Sequence, residues 1–264
     1  MDIALIGNGA IASYVRQAAT DRGHAVRAVI VRPERLIGTE GARGDGPAWV
    51  ASVDDLPDGI DHVVDCAGHA GLAAHGPAVL RAGYDLTTLA IGALAEQDLA
   101  DRLEEAARAG DARLSLASGA IGALDCLRAA RIGRLDAVRY VGRKPPSGWL
   151  GSPAERVLDL HAMEGEARSH FRGTARDAAI SYPKNANVAA AVALAGLGFD
   201  ATEVELIADP SIERNVHEIH AEGDFGVFDF RIEGKSLPDN PRSSALAAMS
   251  AVCTFERTRD RVAF

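Results

Sequence analysis

Short apolar runs alternate with amphipathic stretches over the first 117 residues. The runs at 3–6, 25–31, 62–65, 86–90 and 113–117 predict strands. Helical spacing of apolar positions at 10–22, 71–82 and 96–109 predicts helices between them, the last two ended by Gly83 and Gly110. Such alternation implies a parallel sheet covered on both faces. Residues 32–48, rich in Gly and charge, read as a mobile loop.

The pattern changes after Ser118. Residues 121–132 predict a helix ended by Gly133, and 137–143 a half-buried strand in which Val138, Tyr140 and Gly142 alternate with Arg139, Val141 and Arg143. Ser152-Pro153 reads as a cap followed by a first-turn proline. Thr174-Ala175-Arg176-Asp177 resembles a capping box, and 188–197 predicts a buried helix. Strands are expected at 203–208, 212–221 and 226–233, with Phe228, Phe230 and Ile232 alternating against charged neighbours in the last. This pattern suits an antiparallel sheet with one wet face. A final amphipathic helix is expected at 242–257.

Charge and composition narrow the function classes. The chain of 264 residues carries a net charge of -9, which disfavours nucleic acid and anionic membrane surfaces as partners. Only three basic residues are lysines: Lys144, Lys184 and Lys235. Three widely spaced cysteines suit free thiols in a reducing cytosol, and the N-terminus lacks the basic region of a secretory signal, so a cytoplasmic location is expected. The apolar run at 188–199 is too short and too rich in Ala and Gly to span a bilayer.

Candidate chemistry begins at Gly7-Asn8-Gly9-Ala10-Ile11-Ala12, a G-x-G-x-x-A sequence between the first strand and helix. Gly7 permits the tight turn, Gly9 lets the backbone approach a pyrophosphate, and Ala12 allows close packing; Ala10 and Ile11 open the helix whose N-terminus faces the anion. A dinucleotide, NAD or NADP, is the expected ligand. Arg32 stands where an acidic residue would bind the ribose of NAD, so NADP is tolerated, although Glu34 could still serve that ribose. Cys66, Ala67 and Gly68 follow a buried strand at its carboxyl end, where small residues let a nicotinamide ribose approach; Cys66 reads as a small buried thiol rather than a nucleophile. Residues 118–122 repeat that arrangement.

None of the eight histidines forms a compact ligand set, so no metal site is expected. His217 and His220, three apart on a strand, point to opposite faces, and Asn215 shares the face of His217. Tyr182-Pro183-Lys184-Asn185-Ala186-Asn187 is the densest polar cluster. There Asn187 can cap the following helix, and Lys184 is either solvated or meets a substrate carboxylate.

Taken together, 7–12, Cys66-Ala67-Gly68-His69, 119–123, Tyr140-Val141-Gly142-Arg143-Lys144-Pro145, 182–189, 208–210, Asn215-Val216-His217 and Asn240-Pro241 resemble the L-aspartate dehydrogenase family, in order over nearly the whole length. One departure is Ala12, where Gly is common. The resemblance implies an α/β chain. Residues 1–118 and 241–264 would form a Rossmann dinucleotide-binding domain with a returning C-terminal helix. Residues 119–240 would form an α+β substrate and oligomerisation domain with a mainly antiparallel sheet. It also implies NAD(P)-dependent oxidative deamination of L-aspartate to iminoaspartate, then oxaloacetate and ammonia. Ala120 and Asn187 become cofactor contacts and His217 the catalytic residue. A histidine can exchange the protons of such a reaction near neutrality. Two substrate carboxylates need cations, for which Lys144, Lys184, Arg143, Arg214 and Arg242 are candidates, with Asn215 beside them. A homodimer is expected from the open strands near 228–232. The competing readings are a dehydrogenase or reductase of similar plan acting on another amino or oxo acid, such as a homoserine dehydrogenase or dihydrodipicolinate reductase, and a non-catalytic nicotinamide sensor.

Overall fold

Along the first strand, β1 (Asp2–Ile6), alternate side chains feed two different cores. Ala4 and Ile6 pack with Ala28, Ile30, Val63, Leu72 and Leu80, whereas Ile3 and Leu5 pack with Ala12, Val15, Val29 and Phe255. A strand buried on both faces needs apolar residues at every position, which is why its sequence shows no alternation. The computed structural model describes residues 1–36, 46–183, 185–238 and 240–262.

Around β1 lie β2 (Ala25–Ile30), β3 (Ala48–Val50), β4 (His62–Asp65), β5 (Leu86–Thr88) and β6 (Leu114–Leu116). They form a parallel sheet in the order β3-β2-β1-β4-β5-β6. The helices of this part are α1 (Ala10–Asp21), α2 (His69–Arg81) and α3 (Gln97–Ala109). The first compact unit comprises residues 1–117 and 247–264. Its returning segment belongs to the last helix, whose Phe255 is fully buried and meets His24 edge-on at 5.2 Å.

The second unit spans residues 118–246. Its elements are α4 (Leu124–Ala130), β7 (Leu135–Lys144), β8 (Arg168–Thr174), α5 (Ala175–Ser181), α6 (Asn187–Ala195), β9 (Glu203–Ala208), β10 (Asn215–Gly223), β11 (Gly226–Gly234), β12 (Ser236–Leu237) and β13 (Asn240–Ser244). The last helix, α7 (Ala245–Glu256), follows. The main sheet runs β11-β10-β7-β9-β8, antiparallel except for the β7–β9 pair. The expected combination of a Rossmann-like parallel sheet with a mainly antiparallel second sheet is therefore observed.

Several boundaries differ from the sequence reading. Trp49 lies in a three-residue strand, β3, too short to show a period; residues 37–45 of the expected loop lie outside the described residues. The helix expected at 121 starts at Leu124, because Ala123 adopts a left-handed conformation (φ 57°) that interrupts helical geometry. The edge strand β8 escapes the pattern because polar residues dominate it and only His170 is buried. Residues 240–244 pair with β12 before α7 begins, which shortens the last helix at its start. At α5 the capping box is formed: Thr174 accepts from the Asp177 amide and Asp177 reaches back to Thr174.

Candidate active site

In the first unit, Gly7 has φ 92°, a conformation open to glycine, and its amide donates to the Ile30 carbonyl at 2.8 Å. A methyl group at Gly7 would lie 2.9 Å from the Ala67 Cβ, so the loops after β1 and β4 meet closely. Gly9 caps α1 without a side-chain bond, and no acidic residue stands in the first turn. Among the described residues no atom would crowd a methyl group at Gly9 within 4 Å. Open space before uncapped helix amides fits a dinucleotide pyrophosphate. Ala10 and Ile11 begin α1, and Ala12 is buried against the sheet. Arg32 is exposed in extended backbone just beyond β2.

Asp65, at the end of β4, is fully buried and accepts bonds from the Ala67 amide (2.9 Å) and the Thr88 hydroxyl (2.7 Å). Thr88 in turn accepts from the Ala90 amide at 2.9 Å. This chain of bonds ties the Cys66–Ala67 turn to the loop after β5. Burial pushes the Asp65 carboxyl up to about 6, opposed by its two donors. Burial, then the Asp65 charge, pushes the Cys66 thiol up, so it stays protonated and unreactive. Gly68, with φ 76°, occupies the cap position just before α2.

In the second unit, β7 and β10 carry a polar cluster on one sheet face. His217 lies opposite Gly142 and is 3% exposed. The Tyr140 hydroxyl meets His217 Nδ1 at 2.7 Å. Burial, and then the charge of Lys144, brings His217 down to about 3, so its imidazole is neutral at physiological pH. The Lys144 ammonium donates to Asn185 Oδ1 at 2.6 Å and sits 4.7 Å from the centre of the Trp149 ring. Among the described residues no carboxylate reaches Lys144. Burial lowers it to about 8.

Behind Lys144, Trp149 packs edge-on against His170 at 4.4 Å and donates to the Ile207 carbonyl. His170 Nδ1 meets the Tyr182 hydroxyl at 3.1 Å, while its buried Nε2 lacks a hydrogen-bond partner among the described residues. Burial, with the Lys144 charge, lowers His170 to about 4. His220 lies on the opposite sheet face between Asp229 and Glu222, both at 2.8 Å. Those carboxylates raise its pKa.

Asn215 begins β10 and pairs with Gly234. Ala120 is buried just after Gly119, which has φ 73°. Asn187 is the first residue of α6 and Ala186 occupies the cap position, so Asn187 stands one residue inside the cap expected of it. Lys184 lies outside the described residues, as does the Arg242 side chain. Among the described residues no group of three His, Cys, Asp or Glu could hold a metal ion.

Sequence reasoning gave no role to Tyr140, Asn185, Trp149, His170, Asp65 or Thr88, although Tyr140 and Asn185 fall in segments it singled out. For Tyr140 a signal existed: it falls on the buried face of an alternating strand, two residues from a glycine on that face.

The family described as "Aspartate dehydrogenase, C-terminal" matches residues 125–258, and "Homoserine dehydrogenase, NAD binding domain" matches residues 5–117. An L-aspartate dehydrogenase of Ruegeria pomeroyi is 54% identical over 255 residues, covering 97% of this chain and 91% of the relative. The chain belongs to the aspartate dehydrogenase family.

Another member, from Pseudomonas aeruginosa, is 46% identical, covering 96% of this chain and 95% of that one. The crystal structure of aspartate dehydrogenase from Thermotoga maritima shares the fold with a TM-score of 0.75 at 22% identity, covering 100% of this chain and 99% of that chain. A hyperthermophilic archaeal homoserine dehydrogenase, solved in complex with NADPH, matches with a TM-score of 0.59 at 12% identity, covering 97% and 96%. The NAD-binding match on residues 5–117 accords with the open, uncapped start of α1 and with a nicotinamide dinucleotide as the cofactor.

Proposed function

We propose that this protein carries out NAD(P)-dependent oxidative deamination of L-aspartate to iminoaspartate, then oxaloacetate and ammonia, and the reverse amination. One observation carries this reading beyond family membership. A buried neutral imidazole, His217, shares a sheet face with an ammonium, Lys144, that has no carboxylate partner among the described residues. A half-buried cation without an anion carries part of the cost of desolvation, which an anionic ligand relieves.

The unit formed by residues 1–117 and 247–264 is the dinucleotide-binding part, and residues 118–246 form the substrate part. Gly7, Gly9, Ala10 and Ile11 hold the pyrophosphate, and Arg32 serves the adenosine ribose. Cys66, Ala67, Gly68, Ala120 and Asn187 serve the nicotinamide end. The bound nicotinamide supplies a hydride acceptor. Lys144, Lys184 and Asn215 bind the substrate, with Lys144 holding one of its carboxylates. His217 takes the proton released by the substrate amine, or by the water that attacks the imine. Its neutral state leaves it ready to accept one.

No helix among the described residues is long and apolar enough to cross a membrane. A cytoplasmic enzyme without nucleic-acid or membrane partners, assembled as a homodimer through the second-unit sheet, completes the reading. Val227 on the edge strand β11 is 61% exposed, and Phe228, Phe230 and Ile232 are only half-buried. Light scattering should give a dimer at micromolar concentration; a monomer there removes the assembly from the proposal.

The deciding experiment mixes the protein with L-aspartate and either NAD or NADP and follows the absorbance of reduced nicotinamide. L-Aspartate-dependent reduction with release of ammonia is expected. Reduction with L-homoserine but none with L-aspartate would replace the substrate.

A further inference from the structure

We propose that Tyr140 and Gly142 act together as the positioning device for His217, an inference that rests on the reading of His217 as the proton-transfer residue. In the antiparallel β7–β10 pair, His217 stands opposite Gly142, and Tyr140 stands opposite Ile219. Tyr140 is thus the diagonal neighbour of His217 on the same face, a separation of about 7–8 Å between backbones that a long side chain can bridge. The bridge crosses directly over Gly142. A methyl group there would lie 2.7 Å from the Tyr140 hydroxyl oxygen, 3.2 Å from its Cζ and 3.3 Å from Leu206 Cδ2. Any other residue at position 142 would displace the hydroxyl. With glycine there, the hydroxyl meets His217 Nδ1 at 2.7 Å and the two rings lie within 19° of parallel.

The chemistry of the hydroxyl suits this task. Tyr140 is 1% exposed, and burial keeps its phenol protonated. A phenol both donates and accepts. As an acceptor it holds the tautomer with its proton on Nδ1, which leaves Nε2 bare, and it goes on accepting from Nδ1 once Nε2 is protonated, so Nδ1 is satisfied whether His217 is neutral or charged. The ring therefore need not turn as its proton comes and goes, and Nε2 is the nitrogen left for exchange. A lysine at the same place, a donor only, would hold Nδ1 bare and so leave the proton on Nε2.

The test compares Tyr140→Phe, Gly142→Ala and the double variant with the wild-type protein. Tyr140→Phe retains the buried ring and deletes only the hydroxyl. It is expected to lower kcat about tenfold to a hundredfold, the range seen when the partner orienting a metal-bound imidazole is removed. Cofactor affinity should be unchanged. The charged imidazole loses the stronger hydrogen bond, so the pH limb belonging to His217 should move to lower pH. The imidazole NMR resonances of His217 should report the altered Nδ1 environment without reference to turnover. Gly142→Ala should reproduce these changes by pushing the hydroxyl aside. Combined with Tyr140→Phe it should add little, because the displaced atom is gone.

Wild-type kcat and pH profile in folded Tyr140→Phe would overturn the proposal, whatever the resonances do. A kcat loss with unmoved His217 resonances and pH limb would overturn it too, leaving Tyr140 a packing residue. Wild-type turnover by His217→Ala in the same assay would instead remove the role of His217, and the positioning device with it.

Discussion

Ala67 occupies the space that a side chain on Gly7 would need, their nearest approach being 2.9 Å for a methyl group at Gly7. Gly9, two residues later, faces open space. The two glycines should therefore fail in different ways. Gly7→Ala combines a strained φ of 92° with that overlap and should destabilise the protein by about 2 kcal/mol, in line with costs for strained backbone. Gly9→Val should leave the denaturant midpoint near wild type. It should weaken dinucleotide binding about tenfold to a hundredfold for each charge-assisted hydrogen bond it blocks. Unfolding curves and cofactor titrations of both variants check this, and full cofactor affinity in folded Gly9→Val would contradict the pyrophosphate assignment.

Arg32 is exposed just beyond β2 and, in the proposed function, serves the adenosine ribose. Arg32→Asp should lower the ratio of kcat/KM for NADP over NAD by about tenfold, the worth of one charge-assisted bond. An unchanged ratio would make Arg32 an ordinary surface charge.

His217 and His220 occupy opposite faces of one strand, one buried and one held between two exposed carboxylates. His217→Ala should lower kcat about 10²–10⁴-fold, the usual contribution of a general acid–base group. His220→Ala should change kcat little. Early melting of His217→Ala with normal turnover of the folded fraction would show a core histidine.

Lys144 links substrate binding to pH. Its ammonium is lost as pH rises through about 8, so kcat/KM for L-aspartate should fall above that value, approaching about tenfold per pH unit. Stability should move the other way. Between about 8 and the ordinary value of 10.5 the unfolded chain holds the proton more tightly, so folding stability rises with pH. Lys144→Met should abolish both trends, raise KM, and unfold no earlier than the wild type at neutral pH, because it removes a half-buried ammonium that has no counter-charge among the described residues. Earlier unfolding would mean that the Asn185 and Trp149 contacts outweigh the cost of burial.

What the sequence revealed follows from where periodicity and local chemistry act. The strand–helix alternation of the first unit is written in apolar runs, and Gly7 and Gly68 announce themselves because their positive φ (92° and 76°) favours glycine. The histidine pair sorts by strand parity alone. Distant partners are another matter. Tyr140 and His217 are 77 residues apart, and Lys144 and Asn185 are 41 apart, so only the folded register brings them together. Strand β8 was invisible because an edge strand with one buried side chain has no hydrophobic period to read. The late start of α4 rests on one alanine in a backbone state that its composition does not signal.

Phe255 lies in the same core as Ile3 and Leu5, although some 250 residues of chain separate them. Protein synthesis runs in one direction, so the first sheet leaves the ribosome long before the aromatic ring that fills its flank. At ordinary elongation rates the interval is on the order of ten seconds. During it the second unit can complete its own fold while the first sheet has α1 on that side but lacks Phe255. The order of maturation is thus inverted relative to the order of translation, and emergence of the segment that carries Ala251, Val252 and Phe255, rather than of the dinucleotide loop, times the closing of the N-terminal core.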